Sequence, residues 1–162
     1  MKQAHITVDN RKVVGAALKR AEQTNGPAAA LELPDGQIIT GKTSPLLGAS
    51  AALLLNALKA LAGLSDDLHL ISPTVIEPIQ KLKTAYLGSV NPRLHTDEIL
   101  IALSICAATD ENAQRALEQI PKLRDCQAHT SVMLSTVDIK QFKRLNVQLT
   151  SEAKYENKRI YH

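Results

Sequence analysis

Residues Gly36–Thr43 read GQIITGKT, and how this octapeptide is read decides the fold. As a string it satisfies G-x-x-x-x-G-K-[ST], the phosphate-cradling loop of many nucleotide hydrolases. Such a loop ends a strand at its first glycine and starts a helix at the Gly-Lys pair, so that free amides face the phosphates. Here Gln37, Ile38, Ile39 and Thr40 lie between the glycines, and two consecutive isoleucines are stiff, apolar and β-favouring. Pro34-Asp35-Gly36 just ahead of them is a turn signal. The next helix-start signal, Ser44-Pro45, comes after Lys42 and Thr43 rather than at them. No apolar run ending in an acid, as a Walker-B strand would, follows. The octapeptide therefore predicts the second strand of a β-hairpin, one of two short β-prone runs in AAALELPDGQIITG around the Pro34-Asp35-Gly36 turn.

Working outward, the residues before the hairpin, VDNRKVVGAALKRAEQTNG, predict a helix capped by Asp9, with Val14, Ala17, Leu18 and Ala21 on one apolar stripe and Asn25-Gly26 as its stop. After the hairpin, Ser44 is expected to cap a helix with Pro45 at its first position, running to about Ala62 with Gly63 as the stop. That segment is apolar on several faces, which predicts a central, buried helix. DLHLI reads as a short strand and SPTVIEPIQKLKTAYLG as helical, with either a kink at Pro78 or a short turn followed by a helix from Pro78. Thr96 is expected to cap DEILIALSICAA, with Asp97 and Glu98 favourably placed in the first turn. A short helix in DENAQRALEQI stops at Pro121. The chain closes with a strand in AHTSVMLS, a helix in VDIKQFKRLN and a strand in VQLTS, a strand–helix–strand unit suited to a parallel pair. The fold class expected is α+β: a small mixed sheet with a hairpin, covered by five or six helices.

At 162 residues the chain suits one domain, taken as 1–162. Its hydrophobic content of 44% and charged content of 22% are those of a globular protein. Lys and Arg are scattered through the predicted helices apart from a basic cluster in the tail KYENKRIYH, and a net charge of +3 with three Tyr, one Phe and no Trp gives no stacking platform, so nucleic acid is not expected as a partner. The longest apolar run, LLGASAALLLNALKALAGL, is interrupted by Ser50, Asn56 and Lys59 and reads as a buried helix, not a membrane span. The N-terminal residues show no apolar signal core, and two isolated cysteines, Cys106 and Cys126, fit a reducing cytoplasm. No cofactor and no metal site is expected.

The candidates for chemistry are few. Lys42, Thr43 and Ser44 precede a long helix and Ser72-Pro73 starts another, so two helix starts facing one cleft would make these four residues an anion site for a phosphate-bearing ligand. Ser50, among small residues in GASAA, is a candidate nucleophile, although it lacks a strained elbow. His95 and Asp97 in HTDE are candidate acid–base groups, but adjacent helical residues point in different directions, which is poor metal-ligand spacing. Arg93 and Arg124 are candidate anion clamps.

TGKTSPLLGASAALLLNALKALAG, LHLISPTVIEPIQKLK and NPRLHTDEILIALSICAAT, in that order, resemble one uncharacterised bacterial family with placeholder names, some of whose members carry a label as candidate ATP-dependent peptidases. The resemblance implies equivalence to the C-terminal part of a longer, multi-domain cytoplasmic protein, whose larger N-terminal α/β part this chain lacks. It transfers no catalytic residue. The function expected is a non-catalytic assembly or partner-binding domain, its partner a second copy or the N-terminal α/β part. The alternative is a fragment of an ATP-dependent or phosphate-ligand hydrolase, with its anion site at the Lys42, Thr43 and Ser44 helix start.

Overall fold

The computed structural model describes residues 12–153. The helix expected before the hairpin forms as α1 (Lys12–Thr24), ended by Asn25 in the left-handed region at φ 55°. Its proposed cap, Asp9, lies outside the described residues, as does the basic tail, residues 154–162.

The octapeptide is a hairpin strand. β1 (Ala28–Glu32) and β2 (Ile38–Lys42) pair antiparallel, with Leu31 opposite Ile39. The Asp35 carboxylate accepts the Gln37 amide at 2.9 Å, and Gly36 turns the chain at φ 89°. The second glycine has a different reason. A Cβ on Gly41 would lie 2.4 Å from the backbone nitrogen of Leu53 and 2.8 Å from the Ala49 carbonyl oxygen. Gly41 thus lets β2 press against the next helix, α2 (Ala49–Leu61), backbone to backbone. Asn56 fastens the same seam by donating to the Thr40 carbonyl at 2.9 Å.

The sheet has the order β2-β1-β3-β4, with β1 antiparallel to β3 (Gln127–Thr130) and β3 parallel to β4 (Gln148–Ser151). α6 (Thr136–Arg144) makes the crossover between the parallel strands, as the strand–helix–strand reading expected. β1 is buried from both sides because its alanines are small. Ala30 packs with Val13 and Ala17 of α1 on one face. Ala29 and Leu31 join the main core on the other, with Leu53, Leu54 and Leu58 of α2. α4 (Thr96–Ala107), α5 (Glu111–Leu117) and Phe142 of α6 complete that core. Six α-helices and a four-stranded mixed sheet among the described residues make an α+β fold.

Four local expectations are corrected. Ser44 caps a turn and not α2: its Oγ accepts the amides of Leu46 (3.2 Å) and Leu47 (3.1 Å), and α2 begins only after Gly48. The chain is held out of helix there because Leu47 pairs with Leu94 in an isolated parallel bridge. DLHLI forms no strand; Leu70 and Ile71 are instead buried in the core outside the sheet. Pro78 does not start a helix after a turn: α3 (Pro73–Lys81) already begins at Pro73, runs through Pro78 and widens into a π turn at Leu82–Tyr86. Finally, His95, not Thr96, stands at the cap of α4, and the Thr96 hydroxyl donates instead to Asp138.

Candidate functional site

Three helices start at one cavity of about 380 Å³, lined by the first turn of α2, the residues ahead of α4 and the start of α6. The bridge at Leu47 and Leu94 brings them together. Leu94 donates its amide to the Leu46 carbonyl (3.0 Å), and Gly48 donates its own to the Leu94 carbonyl (3.2 Å). This zips the residue before His95 to the residue before α2. Arg93 is drawn over the same join, its Nε donating to the Ser44 carbonyl at 2.6 Å.

Asp138 ties α6 to α4. Its Oδ1 accepts the Thr96 amide (3.1 Å) and the Thr96 hydroxyl (2.6 Å), and its Oδ2 lies 3.5 Å from His95 Nδ1. Burial pushes the Asp138 carboxyl upward, but the hydrogen bonds from His95 and Thr96 and the histidine's charge prevail and hold it below the usual range. The bond with Asp138 raises the His95 pKa above its ordinary value against an opposing effect of burial. Glu98 folds back to accept the His95 amide at 2.8 Å and also accepts from Lys83 Nζ at 2.9 Å. The Lys83 ammonium is buried and reaches the Arg93 carbonyl as well.

Of the residues singled out from sequence, Thr43, Ser50, Arg93 and His95 line this cavity. Lys42 is exposed at the end of β2. The Ser44 and Ser72 hydroxyls cap local structure, Ser72 accepting the Thr74 amide at 3.2 Å at the start of α3. Asp97 accepts the Glu98 amide at 2.9 Å. Lys42, Ser44, Ser72 and Asp97 are not on the lining. Sequence reasoning did not find Asp138 or Ser135. Their signal is Ser135-Thr136-Val137-Asp138, an S-x-x-D helix start. The Ser135 hydroxyl does accept the Asp138 amide, at 3.3 Å, but the Asp138 carboxylate serves α4 instead of its own helix. Among the described residues no group of three or more His, Cys, Asp or Glu side chains gathers to hold a metal, and no helix is long and apolar enough to cross a membrane.

Residues 9–161 match the family model described as "Domain of unknown function DUF1846, C-terminal". The chain is 59% identical over 158 residues to a UPF0371 protein of Corynebacterium aurimucosum, covering 98% of this chain and 32% of the relative. It is 55% identical over 161 residues to a UPF0371 protein of Corynebacterium diphtheriae, covering 99% of this chain and 32% of the relative. To a UPF0371 protein of Streptococcus thermophilus it is 47% identical over 161 residues, covering 99% of this chain and 33% of the relative. The chain thus spans about a third of the length of the curated relatives it matches.

Proposed function

The chain belongs to the family of this C-terminal domain, and we propose that it acts as a non-catalytic docking module for the other two thirds of a longer protein. The observation that carries this reading is the segment Leu82–Val90. Of its nine residues only Lys83 is buried, yet Leu82, Tyr86, Leu87 and Val90 are large, apolar and 48%, 69%, 70% and 76% exposed. A loop that faces only water has no use for four such side chains, whereas a contact surface does. The segment is also held in place rather than trailing. Lys83 fixes it to the Arg93 carbonyl and to Glu98, and the Leu87 amide closes the π turn on the Leu82 carbonyl at 3.0 Å. Ile101 and Ile105, one turn apart on α4 and 61% and 58% exposed, add a second apolar stripe.

The partner in this reading is the N-terminal part that makes up the rest of the relatives. Self-association through the same face is the other arrangement such a surface admits. The two free thiols, Cys106 and Cys126, fit the reducing cytoplasm to which we assign the module.

The test uses this chain and the separately produced remainder of the Corynebacterium aurimucosum relative. Calorimetry should show binding between the two, and the double variant Leu87→Asp, Val90→Asp should abolish it while leaving the circular dichroism unchanged. Sedimentation of the chain alone reports self-association. A chain that stays monomeric at high concentration and does not bind the remainder would end the docking reading.

A further inference from the structure

The three helices that begin at the cavity differ in how their first-turn amides are satisfied. A helix start carries partial positive charge and up to four amides without intrahelical partners. At α4 the Glu98 carboxylate meets the His95 amide and the Asp138 carboxylate meets the Thr96 amide, at 2.8 and 3.1 Å. At α6 the Ser135 hydroxyl meets the Asp138 amide at 3.3 Å. At α2 the cap position is Gly48, which makes no side-chain bond. Within that uncapped first turn Ser50 lines the cavity, is 4% exposed, and has an Oγ with no hydrogen-bond partner among the described residues. A buried hydroxyl without a partner is rare and costly unless something else completes it.

We infer that the cavity at the start of α2 binds an oxyanion, the phosphoryl or carboxyl group of a small ligand, on the Ala49–Ala51 amides and the Ser50 hydroxyl. The charges around it agree. Arg93 and His95 line the same cavity. Asp138, the one acid on the lining among the described residues, has both oxygens turned to Thr96 and His95. A volume of about 380 Å³ is more than an oxyanion alone needs, and Val132, Met133 and Leu134 supply an apolar wall, so the ligand carries an uncharged body beside its anionic end. The octapeptide contributes Thr43 to the lining, but its Lys42 is off it. It stands independently of the docking surface.

The experiment titrates inorganic phosphate, and separately acetate, into the isotope-labelled chain while amide signals and the thermal midpoint are followed. Binding should move the Ala49, Ser50 and Ala51 amides and raise the midpoint. A larger response to phosphate assigns a phosphoryl ligand, and a larger response to acetate a carboxyl one. Gly48→Asp gives α2 a carboxylate of its own, in a place where a Cβ meets nothing nearer than the Leu94 carbonyl oxygen at 3.8 Å. It should raise the midpoint without ligand and weaken anion binding by about tenfold or more. Ser50→Ala should weaken binding to a similar degree with the fold intact. Unmoved Ala49–Ala51 signals at saturating concentrations of both anions would overturn the inference. So would anion binding that both variants leave unchanged, since the anion would then sit elsewhere on the surface.

Discussion

Gly41 and Gly48 stand seven residues apart at two edges of α2, and they are glycines for opposite reasons. At Gly41 there is no room: a Cβ would meet the Leu53 backbone nitrogen at 2.4 Å, inside a seam where strand and helix touch backbone to backbone. At Gly48 there is room, the nearest atom being 3.8 Å away, but the helix behind it has no side-chain cap. The first position is closed and the second is open. The contrast teaches that a glycine beside a helix carries no single meaning. The motif string had joined a packing glycine to a turn glycine and read them together as a phosphate cradle, while the open helix start lay one turn further on.

Breaking the closed side should give the largest effect. Gly41→Ala forces a methyl group into backbone that has no flexible end to move, and should destabilise the fold by about 3 kcal/mol, the upper end for overpacking. For a chain of this length that is a fall in thermal midpoint of roughly 6–12 °C, read by calorimetry. A midpoint within a degree or two of wild type would mean that β2 and α2 can separate at little cost. The next largest effect belongs to the capped side of the cleft. Thr96→Val keeps the shape but removes the 2.6 Å bond from the hydroxyl to Asp138, a charge-assisted bond worth about 1.5–2 kcal/mol. In a urea titration the unfolding free energy should fall by that amount, lowering the midpoint with an unchanged slope.

How much of this was legible depends on the range of the interaction. The hairpin was readable because Asp35, Gly36 and the paired isoleucines act within a few residues of one another. The parallel pair at the C-terminal end was readable from its strand–helix–strand pattern. The start of α2 was not, because Ser44-Pro45 serves a helix cap and an isolated turn equally well, and the choice is made by Leu94, remote in sequence, pairing with Leu47. DLHLI has the composition of a strand, but Leu70 and Ile71 are buried in the core outside the sheet. At the site, Ser50 and His95 were found as residue types. Asp138 escaped because what matters is its carboxylate crossing 42 residues to Thr96, which no spacing within a helix announces.

A smaller effect is expected at the hairpin. Gly36 sits at φ 89°, where an L side chain is strained, so Gly36→Ala should cost about 1 kcal/mol without altering the packed seam. A double variant with Gly41→Ala sharpens the comparison, because a turn defect and a seam defect that act separately should add. A sum well short of additive would show that the turn and the seam yield together as one unit.

The smallest effect separates charge from hydrogen bonding on the capped side. His95 faces Asp138, Lys83 and Glu98, and its pKa is raised in the folded protein, mainly by Asp138. A raised histidine stabilises fully below its unfolded value of about 6.5, and that contribution is lost as pH rises through the higher folded value. The Asp138 pKa is lowered, so its contribution is present above about 4 and lost as pH falls through the depressed folded value. The pair therefore supports the fold most between about pH 4 and 6.5 and less at higher pH. The His95 side chain is 36% exposed, so solvent screening keeps the change small. Denaturation of wild type and His95→Gln at a series of pH values isolates it, since the two proteins differ at no other position. Wild type should lose more stability than the variant as pH rises above about 6.5. Equal losses would mean that the Thr96 bonds alone hold Asp138. The imidazolium would then be free of that duty, leaving its charge to act on whatever occupies the uncapped start of α2.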